Sequence, residues 1–261
     1  MQYLDQMPAY LVKHVDGIKS PSGDGHCGYR CAVWALALEQ PDGQYAGEVG
    51  WYEVRKDLLK ELADHREVLY DRMFGRDFDK IVSSIRCEPG MECPRSKWMN
   101  MIDVGSPLAN YYNRLIIILD HQDVGRNRTF LPQHIGPLEG QDIKPIVLAF
   151  VDGNHWVWVK LKGLDGKLAP YPPILGGLKR LKGGAVGWKE AVEGNLREWD
   201  GLALPRKKKG KGAQVYIDTS ESECDDLEKR KGNEAVEGQG QAKGKRSSRN
   251  KSLIFTSYKN L

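Results

Sequence analysis

Apolar and polar positions fall into a few distinct patterns along this chain. DGHCGYRCAVWALALEQ opens with turn residues and becomes almost wholly apolar from Cys31 to Leu38. That length and its Ala, Leu and Trp content predict a buried helix starting near Cys27. In EVRKDLLKELADHREVLY, Val54, Leu58, Leu62 and Leu69 recur near helical spacing with charges between them, predicting an amphipathic surface helix. A short helix is predicted over Arg76–Ile85. RLIIIL (Arg114–Leu119) is rich in isoleucine and bounded by polar residues, the mark of a buried strand.

PIVLAFVDGNHWVWVKL holds two further strand-like runs either side of Asp152-Gly153-Asn154, residues that tolerate the positive φ of a hairpin turn. In the second run His155, Val157, Val159 and Leu161 share one face, and Trp156, Trp158 and Lys160 the other. Helices followed by clustered strands predict an α+β domain: a small central, mostly antiparallel sheet flanked by helices over residues 1–175. Residues 176–204 read as a linker with one further helix in WKEAVEGNLREWDGLAL. Residues 205–261 are rich in Lys, Gly, Ser and Glu, bury too little to offset their ordering entropy, and are predicted to be a disordered tail.

Charge sharpens that division. Residues 201–261 carry 14 basic against 8 acidic side chains, leaving 25 against 27 for residues 1–200. The net charge of +4 is therefore a property of the tail. Its clusters Arg206–Lys211 and Lys243–Arg246 are the only predicted contact with nucleic acid, or a nuclear import signal, and the acidic block Glu221–Glu228 opposes phosphate binding. No run approaches the roughly 20 apolar residues that span a bilayer, and the N-terminal residues lack a secretory pattern. No membrane contact and a cytoplasmic or nuclear setting are expected.

Five cysteines at irregular spacings, Cys27, Cys31, Cys87, Cys93 and Cys224, predict reduced thiols. No CxxC pair occurs, so no metal site and no cofactor are predicted.

Cys27 stands apart from the others. It follows Gly23-Asp24-Gly25-His26 where a loop meets the apolar helix, and a helix N-terminus stabilises a thiolate. The glycines let N–H groups converge on one point, as a tetrahedral oxyanion requires. A small apolar residue at a helix start is the competing reading. Cys31, one turn on, reads as core. A thiol nucleophile also needs an imidazole. Among six histidines, His155 begins a strand after a tight turn beside Trp156 and is the best candidate. His26 is adjacent in sequence and awkward to pair, while His14, His65, His121 and His134 lie in less suitable stretches.

These residues resemble the OTU cysteine proteases, marked by Asp-Gly-x-Cys with Arg three residues after the Cys, here Asp24-Gly25-His26-Cys27-Gly28-Tyr29-Arg30. The family's second mark, a His followed by an aromatic residue, stands as Asn154-His155-Trp156. The resemblance is closest to the OTU-like domains of Mutator-like transposable elements and their plant and fungal relatives, through Val54–Leu62, Lys97–Gly105, Tyr112-Asn113 and Thr129–Pro132. It covers roughly residues 10–175.

The resemblance implies a papain-type fold with Cys27 as nucleophile, His155 as general base and an oxyanion loop of Gly25, His26 and Cys27 with Asp24. It implies isopeptide linkages of ubiquitin or a ubiquitin-like protein as substrate. One departure is Val157, where many relatives carry Asp or Asn to orient the imidazole. Asp24, Asp152 and Asn154 are the candidate substitutes. A binding module that holds the same partner with little or no turnover is the alternative.

Overall fold

The computed structural model describes residues 1–38, 43–45, 47–90, 92–140, 142–176 and 183–203. The tail predicted over 205–261, with Cys224 and both basic clusters, lies outside the described residues. Five strands form one sheet: β1 Val15–Lys19, β2 Ile116–Asp120, β3 Arg128–Phe130, β4 Ile146–Val151 and β5 His155–Leu161, in the order β1-β5-β4-β2-β3. Only β2 and β4 run parallel; the other neighbours are antiparallel. The expected α+β class and mostly antiparallel sheet are what the chain adopts.

Side-chain alternation divides the core into two layers. Ile116, Ile118, Ile146, Leu148 and Trp158 face one side, where they meet α1 Cys27–Ala37, α2 Gly50–Asp64, α4 Phe78–Ile85 and α5 Met101–Tyr112. The short α3 (Asp71–Phe74) lies between α2 and α4 in sequence. Ile117, Leu119, Val147, Ala149, Val151, Val157 and Val159 face the other side. Both faces of β2 and β4 are covered, which is why these strands read as continuous apolar runs.

The second layer is closed by a part of the chain that reads from sequence as a linker. Residues 183–203 form α6 Gly184–Ala191 and α7 Glu193–Ala203. Their Trp188, Val192 and Trp199 are buried in one cluster with Leu115, Val147 and Val157. The described residues fall within one compact unit. The linker reading is corrected accordingly: the helices complete the domain core. They are two because the chain breaks at Val192, where φ is −111° and ψ is 10°.

Among the described elements β1, β3, α3 and α5 had no counterpart in the sequence reading. β1 pairs with β5 through Ile18↔Val159 and Lys19↔Trp158. β3 pairs with β2. α5 runs through Gly105 and Pro107. Among the described residues no helix is long and apolar enough to cross a membrane.

Candidate active site

The loop before α1 is held by its own charges. Asp24 Oδ2 accepts from Arg30 Nε and Nη2 at 3.1 and 2.6 Å, and its Oδ1 accepts the His26 N–H at 3.0 Å. Arg30 Nη1 also donates to the Glu48 carbonyl. Burial works to raise the Asp24 carboxyl, but Arg30 and the His26 amide outweigh it and hold it below the usual carboxylate range. The pairing gives a physical reason for an Arg three residues after the Cys. It also commits both oxygens of Asp24 to the loop, away from His155.

Gly25 turns the chain at φ +83°, a left-handed conformation. A Cβ there would stand 2.8 Å from both the Cys93 Cβ and the Trp98 Nε1. His26 is 4% exposed and stacks on Trp51 at 3.5 Å. Its Nδ1 accepts from Arg55 Nη2 at 3.1 Å, so the neutral ring carries its proton on Nε2. Burial, then the Arg55 charge, push it down to about 4. His26 is therefore a support for the loop and is not placed to act as a base. Its backbone N–H is taken by Asp24, which leaves the N–H groups of Cys27 and Gly28 at the sulfur.

Cys27 opens α1 and is 8% exposed. The backbone amides of Trp156, on β5, and of Gly28 and Cys27 favour its thiolate. Burial raises the thiol above its ordinary value against these donors, so the resting group is S–H. Cys31, by contrast, is fully buried and donates to the Trp156 carbonyl at 3.5 Å. One residue of β5 thus meets both cysteines, with its amide toward Cys27 and its carbonyl toward Cys31.

His155 begins β5 and lines one cavity, of about 340 Å³, with Cys27, Ser20, Gly25, Asp152 and Asn154. Its Nε2 lies 3.0 Å from Ser20 Oγ. Burial lowers it from the ordinary imidazole value, opposed by the nearby Asp152 charge, so at neutral pH the ring is uncharged. Asp152, at φ 53° in the turn, is gripped by Gln6: Nε2 donates to Oδ1 at 2.7 Å, and the Asp152 N–H donates to Oε1 at 2.8 Å. Asn154 lines this cavity and the cleft beyond Cys27. Val157 is fully buried in the second core layer and offers the imidazole no hydrogen bond.

Of the sequence-level candidates, the cavity brings together Cys27, His155, Gly25, Asp152 and Asn154. Asp24 and His26 lie against a neighbouring hollow. Ser20 and the Trp156 amide were not foreseen. Neither leaves a motif: Ser20 is delivered by the unpredicted β1, and a backbone amide carries no sequence label.

From Cys27 a second cleft of about 430 Å³ runs between Trp98, Met99, Phe150 and Trp156, with Asp120 and Arg126 also on its wall. The KWM segment is its roof. Met99 packs so tightly that a Cβ at Gly28 would meet its sulfur at 2.5 Å, and Trp156 Nε1 donates to the Met99 carbonyl at 3.2 Å. Apolar walls and a thiol at one end suit an extended peptide segment ending at a carbonyl.

No family model and no curated protein matches the chain. Among solved structures it is similar to the Hazara virus OTU bound to ubiquitin, at 12% identity and a TM-score of 0.38, over 59% of this chain and 86% of that one. It is also similar to the structure of h/ceOTUB1–ubiquitin aldehyde–UBC13~Ub, at 12% identity and a TM-score of 0.27, over 59% of this chain and 80% of that one.

Proposed function

We propose that the chain is an OTU-type thiol isopeptidase acting on ubiquitin or a ubiquitin-like protein. The observation that carries this reading is the shared cavity of Cys27, from the Asp-Gly-x-Cys mark, and His155, from the His-aromatic mark, 128 positions apart. Neutral His155 takes the Cys27 proton, and the thiolate attacks the scissile carbonyl. The Cys27 N–H and the positive end of α1 stabilise the oxyanion. Collapse expels the lysine amine, which takes the proton from His155. Water, deprotonated by the same imidazole, then releases the thioester and restores both groups.

Val157 favours a second reading: an OTU-fold module that binds the same partner with little turnover. Among the described residues no carboxylate bonds His155; Ser20 does. In an unrelated serine protease, losing the triad Asp alone costs about 10⁴-fold in rate yet leaves activity above background. The ordered motif blocks support an origin related to Mutator-like elements, and the basic tail supports nuclear entry. Hydrolysis of a fluorogenic ubiquitin C-terminal conjugate tests the reading. Turnover is expected in the parent and in Cys31→Ala, and is expected to vanish in Cys27→Ala. Retained ubiquitin affinity with no turnover in the parent selects the binding module.

A further inference from the structure

At the C-terminal end of α2 lies a second cluster, Glu61, His65 and His134, whose ligand atoms all fall within 4.8 Å of one another. Glu61 and His65 are one helical turn apart on α2 (His65 caps it), and His134 arrives from the loop after β3. The two imidazoles stack at 4.1 Å, and both present a nitrogen to the same carboxylate. His134 Nε2 is 2.7 Å from Glu61 Oε1, and His65 Nδ1 is 3.3 Å from both Oε2 and the Glu61 main-chain carbonyl. We propose that this cluster binds a divalent transition-metal ion of borderline softness, zinc foremost, and staples α2 to the loop after β3.

The donor set fits: two imidazoles and one carboxylate suit zinc, cobalt or nickel, with a position left for water. Metal-bound ligands are normally oriented by outer hydrogen bonds, and such a shell is built here. Tyr70 OH donates to Glu61 Oε1 at 2.7 Å, and Asn110 Nδ2 donates to the Tyr70 oxygen at 2.8 Å. Asn110 Oδ1 in turn accepts the Gln133 N–H at 2.8 Å, fixing the residue next to His134. The Glu61 side chain is 4% exposed, whereas those of His65 and His134 are 38% and 26% exposed, so an ion has an approach from solvent.

The loop also docks α6. Gln133 and Ile135 carbonyls accept from the Gly184 N–H and from Trp188 Nε1. A bound ion would therefore tie together α2, the loop and the second core layer. The sequence search for paired cysteines misses such a site, because its ligands come from Glu and His 73 residues apart. A rival cluster, His26, Cys87 and Cys93, is equally close. There Arg55 Nη2 lies 3.1 Å from His26 Nδ1 and 3.5 Å from Cys93 Sγ, so a guanidinium already occupies the lone pairs an ion would need.

The test uses the full chain, stripped with a chelator and titrated with Co²⁺, whose visible bands report coordination. One equivalent is expected, retained in a Cys87→Ser/Cys93→Ser variant and weakened at least ~10-fold in His65→Gln and in His134→Gln. His134→Cys is expected to restore binding and add a sulfur-to-cobalt band near the ultraviolet. Saturating zinc is expected to raise Tm by roughly 5–10 °C in the parent and not in His134→Gln. Bands that carry thiolate character in the parent and disappear in the cysteine variant would overturn the proposal. So would the absence of bands and of any Tm shift, which leaves a hydrogen-bonded His–Glu–His triad.

Discussion

Arg55 reaches beneath the loop before Cys27 with 1% of its surface exposed. Its Nη groups donate to the Ile85 and Lys97 carbonyls at 2.8 and 2.9 Å and to His26 Nδ1, and the guanidinium lies 3.8 Å from the Tyr29 ring centroid. Among the described residues these partners are neutral. A charge this deep is tolerated because carbonyls, an imidazole and aromatic faces replace its hydration. The consequence for His26 has a definite sign. Its folded value of about 4 lies below the ordinary 6.5, so the unfolded chain takes up the proton first as pH falls. The His26 contribution is present above about pH 6.5 and is lost between there and pH 4, by at most ~3 kcal/mol. Urea midpoints at pH 7 and pH 4.5 check this. His26→Gln is expected to shrink the stability difference between the two pH values by roughly 2 kcal/mol; an unchanged difference would show that His26 is not held neutral by burial and Arg55.

At the scale of elements, α6 and α7 give the sharpest expectation. Trp188 is 1% exposed and donates to the Ile135 carbonyl at 2.8 Å. Trp188→Ala is expected to cost about 3–5 kcal/mol. A chain ending at residue 175 would lose that cover from Val147 and Val157, and is expected to unfold without a cooperative transition, whereas one ending at 208 keeps it. Equal, sharp urea transitions for the two would return the helices to the role of linker.

The same elements explain what the sequence made legible. α1, β2 and the β4–β5 hairpin could be read because burial on both sides leaves a continuous apolar run and the turn demands Asp-Gly-Asn. β1 (VDGIK) and β3 (RTF) are short edge strands with polar residues and carry no clear period. α5 contains Gly105 and Pro107, which break a helical pattern; glycine is needed because a Cβ would stand 2.6 Å from the Phe130 ring. Several blocks of the family resemblance turn out to be buried polar pairing. Asp57 accepts from the Tyr45 and Tyr112 hydroxyls at 2.7 and 2.9 Å, and Thr129 Oγ1 donates to the Pro172 carbonyl at 2.7 Å. Such partners are chosen by the fold, so sequence spacing alone could place the residues but not their bonds.

At the scale of the molecule, one end of a covered sheet gathers the N-terminus of α1, the start of β5 and the roof supplied by Trp98 and Met99. The sequence named the sulfur and the imidazole, since each sits in a motif. It did not name Ser20 or the Trp156 amide, and its three candidate orienters resolve differently: Asp24 into Arg30, Asp152 into Gln6 with its charge near the ring, Asn154 into the cavity wall. What the proposed chemistry needs is that Cys27 be the one thiol activated by His155. Intact mass and peptide mapping after incubation with ubiquitin bearing a C-terminal electrophile measure that directly. The expected result is one covalent adduct on Cys27, absent in Cys27→Ala, strongly slowed in His155→Gln and unaffected in Cys31→Ala. An adduct on another cysteine, or labelling of Cys27 at an undiminished rate without His155, would contradict it.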